Sequence, residues 1–455
     1  MRLPTHIAIR LALLGAALSL ALAACQTVKP TPTPTPIPAP TRPAPAPTPT
    51  PIPDAGPTPT ARPTPTPVIG LPFPPDLLER LKVTEERIVN MRGLQPAGEP
   101  KRKLLTKDSL AEKLRQRFES EDAKEMQTVQ EVLIALGLLS PGTDLAALQL
   151  KQLGDEILGL FDTKTGDLYI VTSGKAFSQL EEMTHAHEFV HALQQDHFDI
   201  HTKGDALEDD SEASAALTAL IEGDATLAGQ LYAQAFLDPR KINEEARAII
   251  STIDRASIPF VLEQSLNFPY TDGLLFAVYL YRTGGWKAIN DAYADPPKTT
   301  EQILHPEKYT SREPALAVTL PGGLAERLGA GWVLADTDYM GELSYRILLD
   351  AHLSRADANR GAEGWGGDRL AYFRGPSGEK AIAIPTRWDT QNDAKEFFDL
   401  YAKSFEAQKG QAQKTPTTIA GAAGGRYHYL RITGDRTLLI IADEASQAER
   451  LAGGF

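Results

Sequence analysis

The stretch His187-Glu188-Phe189-Val190-His191 sets two imidazoles and a carboxylate at HExxH spacing, inside the longer run from Met183 to Asp196. Residues four apart on a helix share a face, one turn apart, so His187 and His191 can aim two nitrogens at one metal ion. Glu188 lies one position round from His187, within reach of a water on that ion. Two neutral nitrogen ligands, an open coordination position and a carboxylate base are what hydrolysis at Zn2+ needs. The plainer alternative is a polar helix whose histidines satisfy local hydrogen bonds.

A catalytic zinc usually takes a third protein ligand. Two residues compete. His197 falls six residues after His191, the spacing of HExxHxxGxxH sites, but the position that must break the helix holds Gln194, a good helix former. Glu222 sits in Ala216-Leu-Thr-Ala-Leu-Ile-Glu-Gly-Asp-Ala-Thr-Leu-Ala228, where a carboxylate after an apolar helical run is costly to bury unless paired or metal-bound. Glu222 is the preferred ligand and His197 the alternative. Asp224 would then orient a ligand imidazole through its other ring nitrogen, or serve only as a helix-packing acid.

These residues need a helix, and the sequence supplies one. No Pro or Gly falls between Met183 and Phe198, and Met183, Val190, Leu193 and Phe198 approach helical spacing. Upstream, residues 76–155 read as mostly helical. Ser109-Leu-Ala-Glu112 reads as a capping box opening Ala111–Phe118, and Glu125–Leu136 as an amphipathic helix ending at Gly137. Leu158 to Val171 reads as a β-hairpin just before the HExxH helix.

The arrangement resembles the gluzincin metallopeptidases, in which HExxH is followed by a second helix that supplies a ligand Glu. Glu222-Gly-Asp-Ala is similar to the Asn-Glu-Gly-Phe-Ala type of ligand motif. The gap from His191 is longer than in the best-known members, and the loop 200–210 accounts for the difference. The span from Ile157 to Tyr309 also resembles a largely uncharacterised group of exported HExxH proteins with HALQ, EGDA and TEQILHP-like stretches. The resemblance implies a zincin-like peptidase domain, a strand bordering the cleft, and a Tyr or His that donates to the developing oxyanion. Tyr270, in Asn267-Phe-Pro-Tyr-Thr-Asp-Gly273, and His305, before Pro306, are the candidates. Each has a structural alternative, as a core aromatic and as a loop brace. The apolar segment Leu274–Tyr281 reads as a helix ended by Gly284-Gly285.

The N-terminus reads as an export signal. Arg2 and Arg10 give a short basic region ahead of an apolar run, Leu11–Leu22, too short to span a bilayer. Leu22-Ala-Ala-Cys25 looks like a bacterial lipobox. Cys25 is the chain's one cysteine, which leaves no intrachain disulfide and suits lipid attachment after cleavage. From Pro30 to Pro67 the chain is Pro/Thr-rich and cannot form a core, so it reads as a semi-rigid stalk of up to roughly 100 Å. The net charge of −13 is spread without a basic stripe, which argues against a nucleic-acid partner.

The expected organisation is therefore a lipoprotein signal (1–25), a Pro/Thr-rich stalk (26–72), a mostly helical zincin-like domain with a small edge hairpin or sheet (73–325), and a smaller α+β C-terminal domain of open role (326–455). In the last part, Tyr339–Leu349 and Asp393–Ala407 read as helices, the latter after a Trp388-Asp-Thr cap. Trp365–Arg374, Glu379–Thr386 and Arg426–Ala442 read as strands. The fold class is α+β. The expected function is a lipid-anchored extracytoplasmic zinc metallopeptidase acting on peptide or protein. Alternatives are a non-catalytic binding lipoprotein with a structural or degenerate metal site, and a zinc amidase acting on cell-wall material.

Overall fold

The HExxH stretch lies on a single buried helix in the computed structural model, which describes residues 71–121, 123–148, 158–172, 176–251 and 258–455. The signal, Cys25, the Pro/Thr stretch and the expected helix content of 149–155 lie outside the described residues. In chain order the elements are α1 (Pro75–Arg92), β1 (Lys101–Thr106), α2 (Lys107–Glu121), α3 (Ala123–Ala135), β2 (Gly159–Asp162), β3 (Asp167–Thr172), α4 (Gln179–Phe198), α5 (Ile200–Asp205), α6 (Ser211–Phe236), α7 (Pro239–Ile250), α8 (Phe260–Ala294), α9 (Thr300–Leu304), α10 (Pro306–Thr310) and α11 (Leu324–Leu328). There follow β4 (Val333–Asp338), α12 (Gly341–Asp350), α13 (Arg355–Ala362), β5 (Trp365–Asp368), β6 (Leu370–Arg374), β7 (Lys380–Trp388), α14 (Gln391–Ala407), β8 (Gln411–Lys414), β9 (Thr418–Ala423), β10 (Arg426–Thr433), β11 (Arg436–Ala442) and α15 (Ala445–Ala452). The class is α+β.

The helical part is built round α4 and α6. Ser178 and Glu181 close a reciprocal capping box at the start of α4, satisfying two backbone donors that the first turn leaves free. Asp210 caps α6 by accepting from Ala213 N–H at 2.9 Å. Neither helix is amphipathic in the surface sense, because both are buried on most sides. A three-stranded sheet in the order β1-β3-β2 lies beside α4, with β1 parallel and β2 antiparallel to β3. The expected hairpin is thus present, and β2 is its free edge.

Helices α6 and α8 pack with their backbones in near contact. A Cβ on Gly223 would lie 2.1 Å from the Gly273 carbonyl oxygen, and one on Gly273 would lie 2.4 Å from that of Ala219. Only glycine at these two positions allows the approach.

The second core belongs to an eight-stranded sheet, in the order β4-β6-β7-β11-β10-β9-β8 with β5 also paired to β7. Trp365, Trp388 and Phe397 are buried there with Tyr345 and Tyr401, and Thr390 caps α14 through a capping box with Asp393. The α12, α14 and β10–β11 regions agree with the sequence reading to within a few residues.

Four local expectations are corrected. Residues 101–106 form strand β1 rather than helix, because Leu104 and Leu105 are buried by a parallel pairing with β3 that no local pattern announces. Helix α2 starts at Lys107, with Ser109 inside its first turn. Its N–H is met by the Thr106 hydroxyl at 3.2 Å, so the cap is Thr106 rather than Ser109. The helix read as Leu274–Tyr281 begins well before Leu274: Asn267–Gly273 is part of α8, which runs through Pro269 and departs from helical geometry only at Gly284 and Gly285. Trp365–Arg374 is two strands, β5 and β6, split at Arg369.

Candidate metal centre

Helix α4 brings His187 and His191 onto one face, and α6 crosses it so that Glu222 completes a triangle of ligand atoms. His187 Nε2 and His191 Nε2 are 3.0 Å apart. Glu222 Oε2 lies 3.2 Å from the first and 3.5 Å from the second. All three side chains are buried. These residues form a group able to hold a metal ion. Bonds of about 2.0–2.1 Å in a tetrahedral site separate neighbouring ligand atoms by roughly 3.3 Å, close to the spacings here. Buried Glu188 Oε1 and Thr184 Oγ1 have no hydrogen-bond partner, and His187 Nδ1 beside the Ala225 backbone and the Tyr270 hydroxyl beside Glu222 make none of good geometry. Orphans are normally rare in a protein interior, so their concentration here fits a site built to receive something.

The electrostatics have the same sense. Burial alone would raise the Glu222 carboxyl, but the charge on His191 and contact with both imidazoles outweigh it and hold the group at about 2. Burial works against a charged His191, yet attraction to Glu222 lifts it to about 9, while burial keeps His187 below its usual range. His191 and Glu222 thus each favour the charged form of the other. Burial pushes Glu188 to about 8, only partly opposed by His191 and the Phe161 N–H.

Glu188 points toward the hairpin. The Phe161 backbone N–H donates to its Oε2 at 2.9 Å. Gly159, on the same strand, comes so close that a Cβ there would lie 3.2 Å from Glu188 Cγ. On the other side, Tyr270 sits with its ring centroid 6.2 Å from that of His187. Burial first, then the charges of Glu222 and Glu188, push its phenol well above the usual range.

The remaining candidates fall elsewhere. His197 bonds the Gln95 carbonyl at 2.7 Å on an exposed part of the surface and does not join the ligand group. His305 lies 2.9 Å from Glu342 Oε1, which raises its pKa. Its partners are Glu342 and Glu307, and it is not brought to the metal ligands. Asp224 is fully buried but does not touch an imidazole, which corrects the direct contact expected of it. Gln194 stands between: its Oε1 lies 2.7 Å from His191 Nδ1, and its Nε2 donates to Asp224 Oδ2 at 2.9 Å. Asp224 also takes a bidentate pair from Arg92, at 2.9 and 3.0 Å, and a hydrogen bond from the Tyr293 hydroxyl at 2.9 Å.

Sequence reasoning missed Gln194, Arg92, Tyr293, the Phe161 amide and Gly223. Gln194 carried a usable signal, an amide three residues after a ligand histidine on a buried helix. Arg92 carried none, being far away in sequence. A second acidic group, Glu301, Glu313 and Asp389, is filled by Lys308, whose ammonium lies 2.7, 2.8 and 2.5 Å from the three carboxylates. No helix among the described residues is long and apolar enough to cross a membrane.

Comparison with known families finds a match over the C-terminal part of the chain. Residues 327–452, which hold the eight-stranded sheet, match the family described as Domain of unknown function (DUF8575). No curated protein and no solved structure matches the chain.

Proposed function

We propose that this chain is a zinc-dependent peptidase, exported and held at the membrane by a lipid on Cys25. The observation that carries the reading is Glu188, buried beside the three ligand atoms with Oε2 fixed by Phe161 and Oε1 free. A structural metal site has no need of that fourth residue. His187, His191 and Glu222 would hold the zinc, which when bound supplies Lewis acidity for a carbonyl and acidifies water. Glu188 takes the proton from the attacking water at Oε1 as the new C–O bond forms. It passes that proton to the amide nitrogen as the C–N bond breaks. Its second oxygen stays anchored, so the carboxylate keeps its aim through both transfers. The Tyr270 hydroxyl, buried beside Glu222, would be the group that donates to the oxyanion.

One observation favours a second reading. Glu188 is only 1 % exposed and the ligands are fully enclosed, as in a closed, structural metal site within a binding lipoprotein. The deciding experiment uses the full chain and its Glu188→Gln variant, with bound metal and cleavage of casein or a quenched peptide measured together. One zinc per chain, with cleavage abolished in the variant and metal kept, supports the peptidase. Zinc in both forms with cleavage in neither supports the structural site, and absence of metal removes both.

A further inference from the structure

This inference rests on reading His187, His191 and Glu222 as metal ligands, and concerns what fixes one of them. Gln194 Nε2 donates to two atoms, the Ile221 carbonyl oxygen at 3.0 Å and Asp224 Oδ2 at 2.9 Å. Both can only accept there: Asp224 already receives Arg92 Nε, Arg92 Nη2 and the Tyr293 hydroxyl. The amide therefore cannot be turned over, and the atom facing His191 Nδ1 at 2.7 Å must be the oxygen. An amide oxygen accepts and never donates, so Nδ1 carries the hydrogen. In the neutral ring Nε2 is then left with the lone pair, and Nε2 is the atom that meets His187 and Glu222.

The parts behind the amide are rigid. Arg92, the last residue of α1, has a fully buried side chain and stacks on Trp286 at 4.6 Å. Tyr293 stacks on Phe198, the last residue of α4, with centroids 4.1 Å apart. The chain of contacts runs from the first described helix to a ligand nitrogen without a gap.

The geometry points to Gln194 as the positioning residue that fixes His191 as an Nε2 ligand, held by a relay of Asp224, Arg92 and Tyr293. Helix α1, next to the Pro/Thr segment in sequence, is thereby part of the metal centre although it supplies no ligand. The amide has an advantage over a carboxylate in this place. It takes up no proton itself, so it sets the tautomer at any pH at which the ring is neutral.

The test measures Zn2+ affinity of the full chain by competition with a chromophoric chelator, and the visible spectrum of the Co2+ form. The variants are His191→Ala, Gln194→Met, which keeps the volume, and Tyr293→Phe, which removes one hydrogen bond from Asp224. Trp388→Phe, in the distant sheet core, controls for general loss of stability, and melting of each metal-free chain is followed. The relay predicts that Gln194→Met binds Zn2+ about 10–100-fold more weakly with a shifted Co2+ spectrum, and Tyr293→Phe several-fold more weakly. Trp388→Phe melts lower yet keeps both properties. If His191→Ala binds as tightly as the parent, the ligand reading itself falls. If His191→Ala loses the metal while Gln194→Met stays within twofold, the ligand reading stands and the relay is overturned. Should Gln194→Met fail to fold, Tyr293→Phe decides, and unchanged affinity and spectrum there overturn the relay.

Discussion

Phe161 donates its backbone N–H to Glu188 Oε2 across 2.9 Å, and the carboxylate's other oxygen is buried without a partner. The contact exists because β2 is the edge of its sheet, so the outward amide of Phe161 is not consumed by a neighbouring strand. Gly159 adds the clearance. The edge strand thus fixes the aim of the residue proposed as the base, and Glu188→Gln preserves this contact, because the glutamine oxygen still accepts from Phe161. Metal content and melting temperature should stay near those of the parent, while cleavage falls by about 100- to 10,000-fold. A variant that still cleaves peptide at more than a tenth of the parent rate removes Glu188 from the chemistry.

Glu222 and His197 separate cleanly by metal content. Glu222→Ala deletes one corner of a triangle whose sides are 3.0, 3.2 and 3.5 Å. Since disturbing supporting contacts alone weakens metal sites about 10–100-fold, zinc affinity should fall by at least about 100-fold. His197→Ala removes a surface contact to Gln95 and should leave one metal per chain. Elemental analysis after dialysis reads both, and the opposite pattern would exchange the two assignments.

Tyr270 and His305 divide between rate and stability. Tyr270→Phe removes a buried hydroxyl that faces Glu222 without a hydrogen bond of good geometry, so the fold should lose no more than about 1 kcal/mol, while turnover falls by about 100- to 1000-fold as for a lost oxyanion donor. His305→Ala leaves the buried Glu342 without its imidazole and should cost about 1–3 kcal/mol at unchanged kcat. Paired kinetic and denaturation measurements check this. A fall in kcat confined to His305→Ala would reverse the roles.

Gly223 couples the two long helices to the site. It follows Glu222 directly and faces Gly273, three residues beyond Tyr270. Gly223→Ala forces α6 and α8 apart and should cost about 3 kcal/mol, with loss of zinc affinity because Glu222 moves with its backbone. Normal stability and affinity in this variant would show that the helices have slack.

What could be read from the chain follows from how local each signal is. His187 and His191 were legible because four residues are about one helical turn, and Glu222 because a carboxylate after an Ala/Leu-rich helical run needs a partner. The partner of His191 Nδ1 was only half legible. Asp224 was marked, but Gln194 intervenes, and nothing in a linear sequence says that Arg92 returns from 132 positions away. Strand β1 was illegible for a related reason. Lys101-Arg-Lys-Leu-Leu-Thr106 has no alternation, and only pairing with β3 buries its two leucines. The start of α8 was illegible too, since a Pro disfavours a helix interior and only packing against α6 carries the helix through Pro269.

Glu212 should make stability depend on pH. It lies 5 % exposed in the first turn of α6, its Oε1 taking the Thr300 N–H at 2.5 Å and the Thr300 hydroxyl at 2.8 Å. Gly341 touches it, so closely that a Cβ there would lie 1.8 Å from Oε2. Burial raises its pKa to about 8, the Thr300 hydrogen bonds oppose the shift, and the charge of Asp368 adds to it. The folded chain therefore keeps this proton after the unfolded chain, with an ordinary value of 4.5, has released it. The resulting stability is complete below about pH 4.5 and is lost as pH climbs toward 8, at up to about 1.4 kcal/mol per pH unit. Glu212→Gln lacks the proton to lose. Urea midpoints of parent and variant should lie close together near pH 5 and diverge toward pH 8, with the variant the more stable. Parallel curves across that range would mean that Glu212 is ionised in the native state and that another donor reaches it.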